Sequence, residues 1–234
     1  MSTLRYEYEF DLGESGVIAY DVEIDEETLT VQPEAYEGMP EWTRLEFNQC
    51  DNCPLKPDEK SYCPVAASIS RVVERFKDRI SYEEASVRVS VPERTYEKRV
   101  PLQYGLFSLF GLIMATTSCP HMRFLRPMAR FHLPFSSPQE TIVRTVSFFL
   151  LRRYLENQQR PGVTYDLGDL DGAYSDVQGV NKGIMRRLRA VATGSAEADA
   201  GAVVILNALT KMLSASLASN LQEVEPLFGQ EARC

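Results

Sequence analysis

Leu4-Arg5-Tyr6-Glu7-Tyr8-Glu9-Phe10 alternates apolar and charged side chains without a break. A period of two places Leu4, Tyr6, Tyr8 and Phe10 on one face of an extended strand and Arg5, Glu7 and Glu9 on the other. Such a strand needs a neighbour beside it and a cover over its apolar face. The following residues supply the neighbours. Gly13-Glu14-Ser15-Gly16 reads as a turn, Val17 to Ile24 as a second strand, Asp25-Glu26-Glu27 as an acidic turn and Thr28 to Val31 as a third strand. After a loop from Pro33 to Pro40, Trp42 to Phe47 reads as a fourth. Residues 3–47 are therefore expected to form an antiparallel meander.

The expected cover is helical. From Pro64 to Arg79, Val65, Ile69, Val72, Val73 and Phe76 recur at helical spacing while Arg71, Glu74, Arg75, Lys77 and Asp78 face out. Two further strands are read at Ala85–Val91 and Thr95–Val100. Val100 to Met122 then contains no Lys, Arg, Asp or Glu. Its length would reach across a bilayer, but Pro101 and Pro120 trim the continuous helix to about 18 residues and polar side chains dilute it, so a buried core helix is the preferred reading. Ser137-Pro138-Gln139-Glu140 combines a capping box with proline at the first helical position, and that helix stops by Pro161-Gly162. Asp166 to Leu221 reads as two helices divided near Gly194-Ser195. The predicted class is α+β, an N-terminal antiparallel sheet packed against a mainly helical C-terminal half. Residues 1–234 are read as one compact domain, with the alternative of a sheet and cysteine-rich part over 1–135 and a helical part over 136–234.

Composition narrows the function classes. The 234 residues are 44% hydrophobic and 10% aromatic, which excludes disordered and fibrous architectures. A net charge of -8 argues against general coating of nucleic acid. The charge is uneven: residues 1–60 hold 16 of the 33 acids and four of the 25 bases. That asymmetry points to an acidic sheet facing a mildly basic body, or to a sheet whose solvated face is acidic. Met1 to Phe10 has one basic residue and no apolar run, so no secretory or transit signal is read and the expected location is cytoplasmic, with a membrane location disfavoured.

Five cysteines, Cys50, Cys53, Cys63, Cys119 and Cys234, are an odd number and suit reduced thiols better than a disulfide framework. Cys50-Asp51-Asn52-Cys53-Pro54, followed nine residues later by Cys63-Pro64, has the spacing that lets two thiolates of a turn share one ion. Cys63 stands just before a proline-initiated helix, where unpaired N–H groups favour a thiolate. A fourth ligand is expected from Cys119-Pro120-His121. The predicted metal set is Cys50, Cys53, Cys63 and Cys119, with His121 as substitute or supporting donor and His132 as reserve. Zinc is the expected metal, an iron–sulfur cluster the alternative, and metal-free buried or weakly reactive thiols the third reading.

Arg123, Arg126 and Arg130 fall roughly on one helical face and are candidate anion binders, although Pro127 interrupts the helix and a solvated or salt-bridged face is the preferred reading. Asp166, Asp169, Asp171 and Asp176 precede Lys182, Arg186, Arg187 and Arg189, the order that a helix dipole favours. Gly-x-Gly-x-x-Gly, Walker, His-Glu-x-x-His and Gly-x-Ser-x-Gly motifs are absent. The leading functional expectation is a zinc-stabilised binding or regulatory module whose protein partner meets the acidic sheet or the arginines. An iron–sulfur redox protein or sensor comes second. An enzyme using Cys119 or the Asp166–Asp176 cluster comes third.

Overall fold

The computed structural model describes residues 2–31, 38–191, 197–219 and 221–229. Thr3–Asp11 (β1) alternates buried and exposed side chains along its whole length, with Leu4, Tyr6, Tyr8 and Phe10 inward. It pairs antiparallel with Val17–Asp25 (β2), Tyr8 opposite Tyr20, and on its other edge with Glu84–Val91 (β3), Tyr8 opposite Val89. Arg94–Pro101 (β4) completes an antiparallel sheet of order β2-β1-β3-β4. The acids of the outer face are balanced by strand arginines: Arg5 meets Asp21 and Glu7, and Arg88 bridges Glu9 and Glu97. These exposed pairs tune register and solubility more than stability.

Two expected strands take other forms. Asp25 Oδ1 accepts from both the backbone N–H and the hydroxyl of Thr28, at 2.7 Å each. That carboxylate winds the chain into a turn, so the third strand is reduced to a single bridge between Ile24 and Val31. Trp42 to Phe47 forms a 3-10 turn at Glu41–Thr43 and a bridge from Arg44 to Tyr62. The carbonyls of Trp42, Arg44 and Leu45 accept from a buried guanidinium, which leaves them unavailable to a ladder.

The inner face of the sheet is covered by Pro64–Phe76 (α1) and Leu102–Ala115 (α2). Phe76 meets Phe10 edge-to-face at 5.0 Å. Helix α2 is buried nearly all round, from Leu102 through Leu106, Leu109 and Phe110 to Met114, in keeping with the core-helix expectation. It sits on the sheet so closely that a Cβ on Gly105 would lie 2.7 Å from the Phe10 ring and 2.9 Å from Val87, so only glycine fits there. A 3-10 segment, Pro120–Leu125, and the short helix Arg126–Arg130 (α3) lead to Pro138–Gln159 (α4). The capping box is present: Ser137 Oγ accepts from the Glu140 amide and the Glu140 carboxylate accepts from the Ser137 amide.

Gly168–Val191 (α5) and Glu197–Ala218 (α6) follow, then a final turn, Glu225–Phe228 (α7). The expected break at Gly194-Ser195 lies outside the described residues, as does Cys234. Among the described residues one stretch, Gly201–Ala218 in α6, has the length and apolarity to cross a membrane, and a third of it is buried inside the protein. The largest apolar cluster joins the sheet to α1, α2 and α5. A second cluster, including Ile142, Val146, Leu170, Tyr174 and Leu213, joins α4, α5 and α6, and Phe124 and Leu125 touch both.

Candidate functional site

Local chain geometry brings the four central cysteines into one neighbourhood. Cys50 and Cys53 are the ends of a turn closed by the Cys53 amide donating to the Cys50 carbonyl at 3.0 Å. Cys63 and Cys119 each precede a proline that starts a helical segment, α1 and the Pro120–Leu125 turn respectively. All four are free thiols, Cys63 and Cys119 buried and Cys50 and Cys53 partly so. Burial pushes the Cys50 thiol up to about 11, reinforced by nearby Cys63 and Cys53. Cys119 is pushed up to about 12 by the same desolvation, against the opposing pull of the His121 amide. Cys63 is raised as well: desolvation outweighs Arg187 and the amides of Val65 and Ala66, so the helix start does not yield the thiolate expected from sequence.

The structure corrects the metal reading. Among the described residues, no group of three or more His, Cys, Asp or Glu side chains is arranged to hold a metal ion. The zinc site of Cys50, Cys53, Cys63 and Cys119 with His121, the iron–sulfur alternative and the zinc-clamped module built on them therefore lose their basis. The side chains are occupied otherwise. Cys50 Sγ lies against α5, 4.0 Å from the Val180 carbonyl, where a Cβ on Gly183 would come within 2.3 Å of it. His121 turns Nε2 to the Asn52 carbonyl at 2.7 Å and Nδ1 to Asp176 at 3.2 Å. The loop expected to be held by an ion is held by Arg187, whose guanidinium donates to the carbonyls of Trp42, Arg44 and Leu45 at 2.6–2.8 Å. That side chain is 1% exposed, and desolvation lowers its pKa.

The arginine trio is divided among different neighbours. Arg126 donates to the Thr117 and Thr28 carbonyls, Arg130 lies over the Phe131 ring, and Arg123 borders a surface cleft with His121, Arg152 and Asp176. The aspartates mostly serve the start of α5. Asp166 accepts from the Gly168 amide, Asp169 pairs with Arg153, and Asp176 receives Asn52 and His121.

A cavity of about 150 Å³ lies among α2, the Pro120–Leu125 turn, α4, α5 and α6. Its walls are apolar, with Leu112, Met114, Met122, Met128, Val177, Leu206 and Leu213 prominent. Phe107, Leu133, Ser136 and Thr141 are half-buried at its edge. Methionines give such a wall adaptable shape. Four polar features interrupt it. Tyr174 is satisfied by Thr145 at 3.2 Å, and burial pushes its phenol up to about 12. Ser108 and His132 pair with Tyr8 from β1: the Tyr8 hydroxyl is 2.7 Å from His132 Nε2 and 3.1 Å from Ser108 Oγ. With Nε2 bare, Tyr8 donates to it and Ser108 donates to Tyr8, which satisfies all three. His132 keeps an exposed edge, yet the enclosure of its ring pushes its pKa down to about 3, too low for a general base at neutral pH.

The third feature is Asn181. It is 1% exposed, it lines the cavity, and neither its amide oxygen nor its amide nitrogen has a hydrogen-bond partner among the described residues. The fourth is Arg144, whose Nη2 donates to the carbonyls of Met128 and Phe131. It has no carboxylate within ion-pair distance among the described residues, and desolvation lowers its pKa.

Residues 4–229 match the model of a family described only as a domain of unknown function, DUF6901. The chain belongs to that family. No curated protein and no solved structure matches it. The DUF6901 match runs from β1 to α7 and so contains the sheet, the thiols and the cavity together. Sequence reasoning missed Asn181, Arg144 and Arg187. A signal for Asn181 was present: Leu170, Tyr174, Val177, Asn181, Ile184 and Leu188 occupy one stripe of α5, and asparagine is the misfit in it. His132, the reserve ligand of the sequence reading, bonds instead to Tyr8 on β1 and Ser108 on α2.

Proposed function

We propose that this protein binds a small, largely apolar organic molecule in the cavity between α2, α4, α5 and α6. The observation that carries this reading is Asn181, a buried amide lining an apolar chamber with no partner for either of its polar atoms among the described residues. Leaving such a group unbonded costs about 1–3 kcal/mol, so a ligand that pairs with it recovers that energy. The size fits a guest, since an apolar cavity of about 150 Å³ is known to accept benzene.

The test is a protein-observed NMR titration with hexan-1-ol. Amides of Leu112, Asn181 and Leu213 are expected to shift with saturation. Gly111→Leu, which places a side chain into the space where a Cβ meets only Leu206 at 3.7 Å, is expected to abolish those shifts. Shifts that persist unchanged in a folded Gly111→Leu protein, or no shifts in the wild type at millimolar probe, would overturn the reading.

A further inference from the structure

We infer that the molecule held in this cavity is a monocarboxylic acid, with Arg144 meeting its carboxylate. This rests on the proposed function and assigns its ligand class. Arg144 projects from the second turn of α4 to the chamber wall, where it is half-buried. Two half-buried arginines, Arg79 and Arg153, meet carboxylates, Glu83 and the pair Glu156 and Asp169, whereas Arg130 lies on the Phe131 ring and Arg187 on three carbonyls. Among the described residues, Arg144 has only the two carbonyls on Nη2. The one carboxylate among the groups that act on it is Glu140, which is already engaged by the Ser137 amide in the capping box. His132 and Tyr174, the other titratable groups beside Arg144 at the cavity, are both held neutral and offer no charge to balance it.

An uncompensated guanidinium at the edge of an apolar chamber selects an anion with an apolar body. The planar fork of arginine is matched by a carboxylate. The volume limits that body to a short alkyl chain or a single ring, which excludes long-chain fatty acids lying wholly inside. Asn181 adds a donor and an acceptor in the same cavity, suited to a hydroxyl, keto or amide substituent on the acid.

Isothermal titration of the full chain with hexanoate, hexan-1-ol and hexanamide tests this. Hexanoate is expected to bind at least tenfold more tightly than the two neutral analogues. Arg144→Met should weaken hexanoate at least tenfold while changing hexan-1-ol by less than twofold, and retained alcohol binding shows that this variant is folded. Arg144→Lys should restore part of the hexanoate affinity. Equal binding of hexanoate and hexan-1-ol, or hexanoate binding untouched by Arg144→Met, would overturn the acid assignment and leave the cavity reading standing. If none of the three probes binds the wild type, the cavity reading itself fails.

Discussion

Replacing Asn181 by leucine should make the protein more stable. The two side chains share one branched shape, leucine being the bulkier, and the position lies on the buried stripe of α5 between Val177 and Ile184, where the adjoining cavity leaves room for the difference. The substitution removes two unpaired buried polar atoms, and one such group typically costs about 1–3 kcal/mol. Leucine also favours the helix interior over asparagine by a few tenths, about 0.3–0.5 kcal/mol. Against this stands the fit of the bulkier side chain, which costs about 1–3 kcal/mol in a well-packed core and less where a cavity adjoins it. The balance is a gain of about 1–2 kcal/mol, and at about 2–4 °C per kcal/mol for a chain of this size the melting temperature should rise visibly. Urea unfolding followed by circular dichroism, with calorimetry in parallel, measures both quantities. Asn181→Asp is the control, because it keeps the volume and buries a charge, and it should destabilise strongly. A leucine variant no more stable than the wild type would mean that the amide is bonded in solution, and the argument for a vacant recognition group would fall.

Two further outcomes follow from the geometry around the thiols and His132. Gly183→Ala should destabilise the wild type, because the new methyl would lie 2.3 Å from Cys50 Sγ. In a Cys50→Ala background it should instead be neutral or favourable, a coupling of about 1–3 kcal/mol in a double-mutant cycle, and additivity within about 0.5 kcal/mol would refute close packing of that sulfur on α5. For His132, the folded pKa of about 3 lies below the ordinary 6.5, so between these values the unfolded chain binds more protons. Its contribution is therefore fully present above pH 6.5 and is lost as pH falls from 6.5 towards 3, with a slope of at most about 1.4 kcal/mol per unit. Chemical denaturation at pH 7, 6, 5 and 4 should show a shallower loss in His132→Gln than in the wild type, and parallel curves would refute the buried neutral imidazole.

The sheet was legible where one rule dominates. Leu4 to Phe10 alternates strictly, and burial alternates with it. The start of α4 was legible because Ser137, Pro138 and Glu140 each favour the same local geometry. The third and fourth strands were not, because the deciding groups act from the side: the Asp25 carboxylate bends 25–30, and Arg187, some 140 residues away in sequence, takes the carbonyls of 42–45. The cysteine reading stopped at proximity. Spacing and proline positions suggested that Cys50, Cys53, Cys63 and Cys119 converge, but local spacing does not fix side-chain direction. Cys50 is turned onto Gly183 and His121 onto Asn52 and Asp176, facts that depend on α5 arriving from 130 residues away. The cavity is a product of five segments meeting, and no local period encodes it.

Two polar side chains on α5 break the apolar pattern, and their difference separates structure from function. Arg187 and Asn181 are each 1% exposed. Burying a guanidinium is the costlier act, yet Arg187 donates to three carbonyls of a loop that would otherwise have no ladder to join. Its burial thus solves a problem of the fold, since without it the Trp42 and Leu45 carbonyls would lose their partner and the Arg44 carbonyl would keep only the Phe47 amide. Asn181 solves no such problem: nothing among the described residues needs its donor or its acceptor. A leucine there would match the other stripe residues. Residues that weaken a fold without helping it are concentrated where the protein must meet something else. Asn181 opens onto a chamber, and that chamber's one cation, among the described residues, lacks a carboxylate. One small acid seated there would pair both the amide and the guanidinium, whereas a purely structural account needs a separate reason for each.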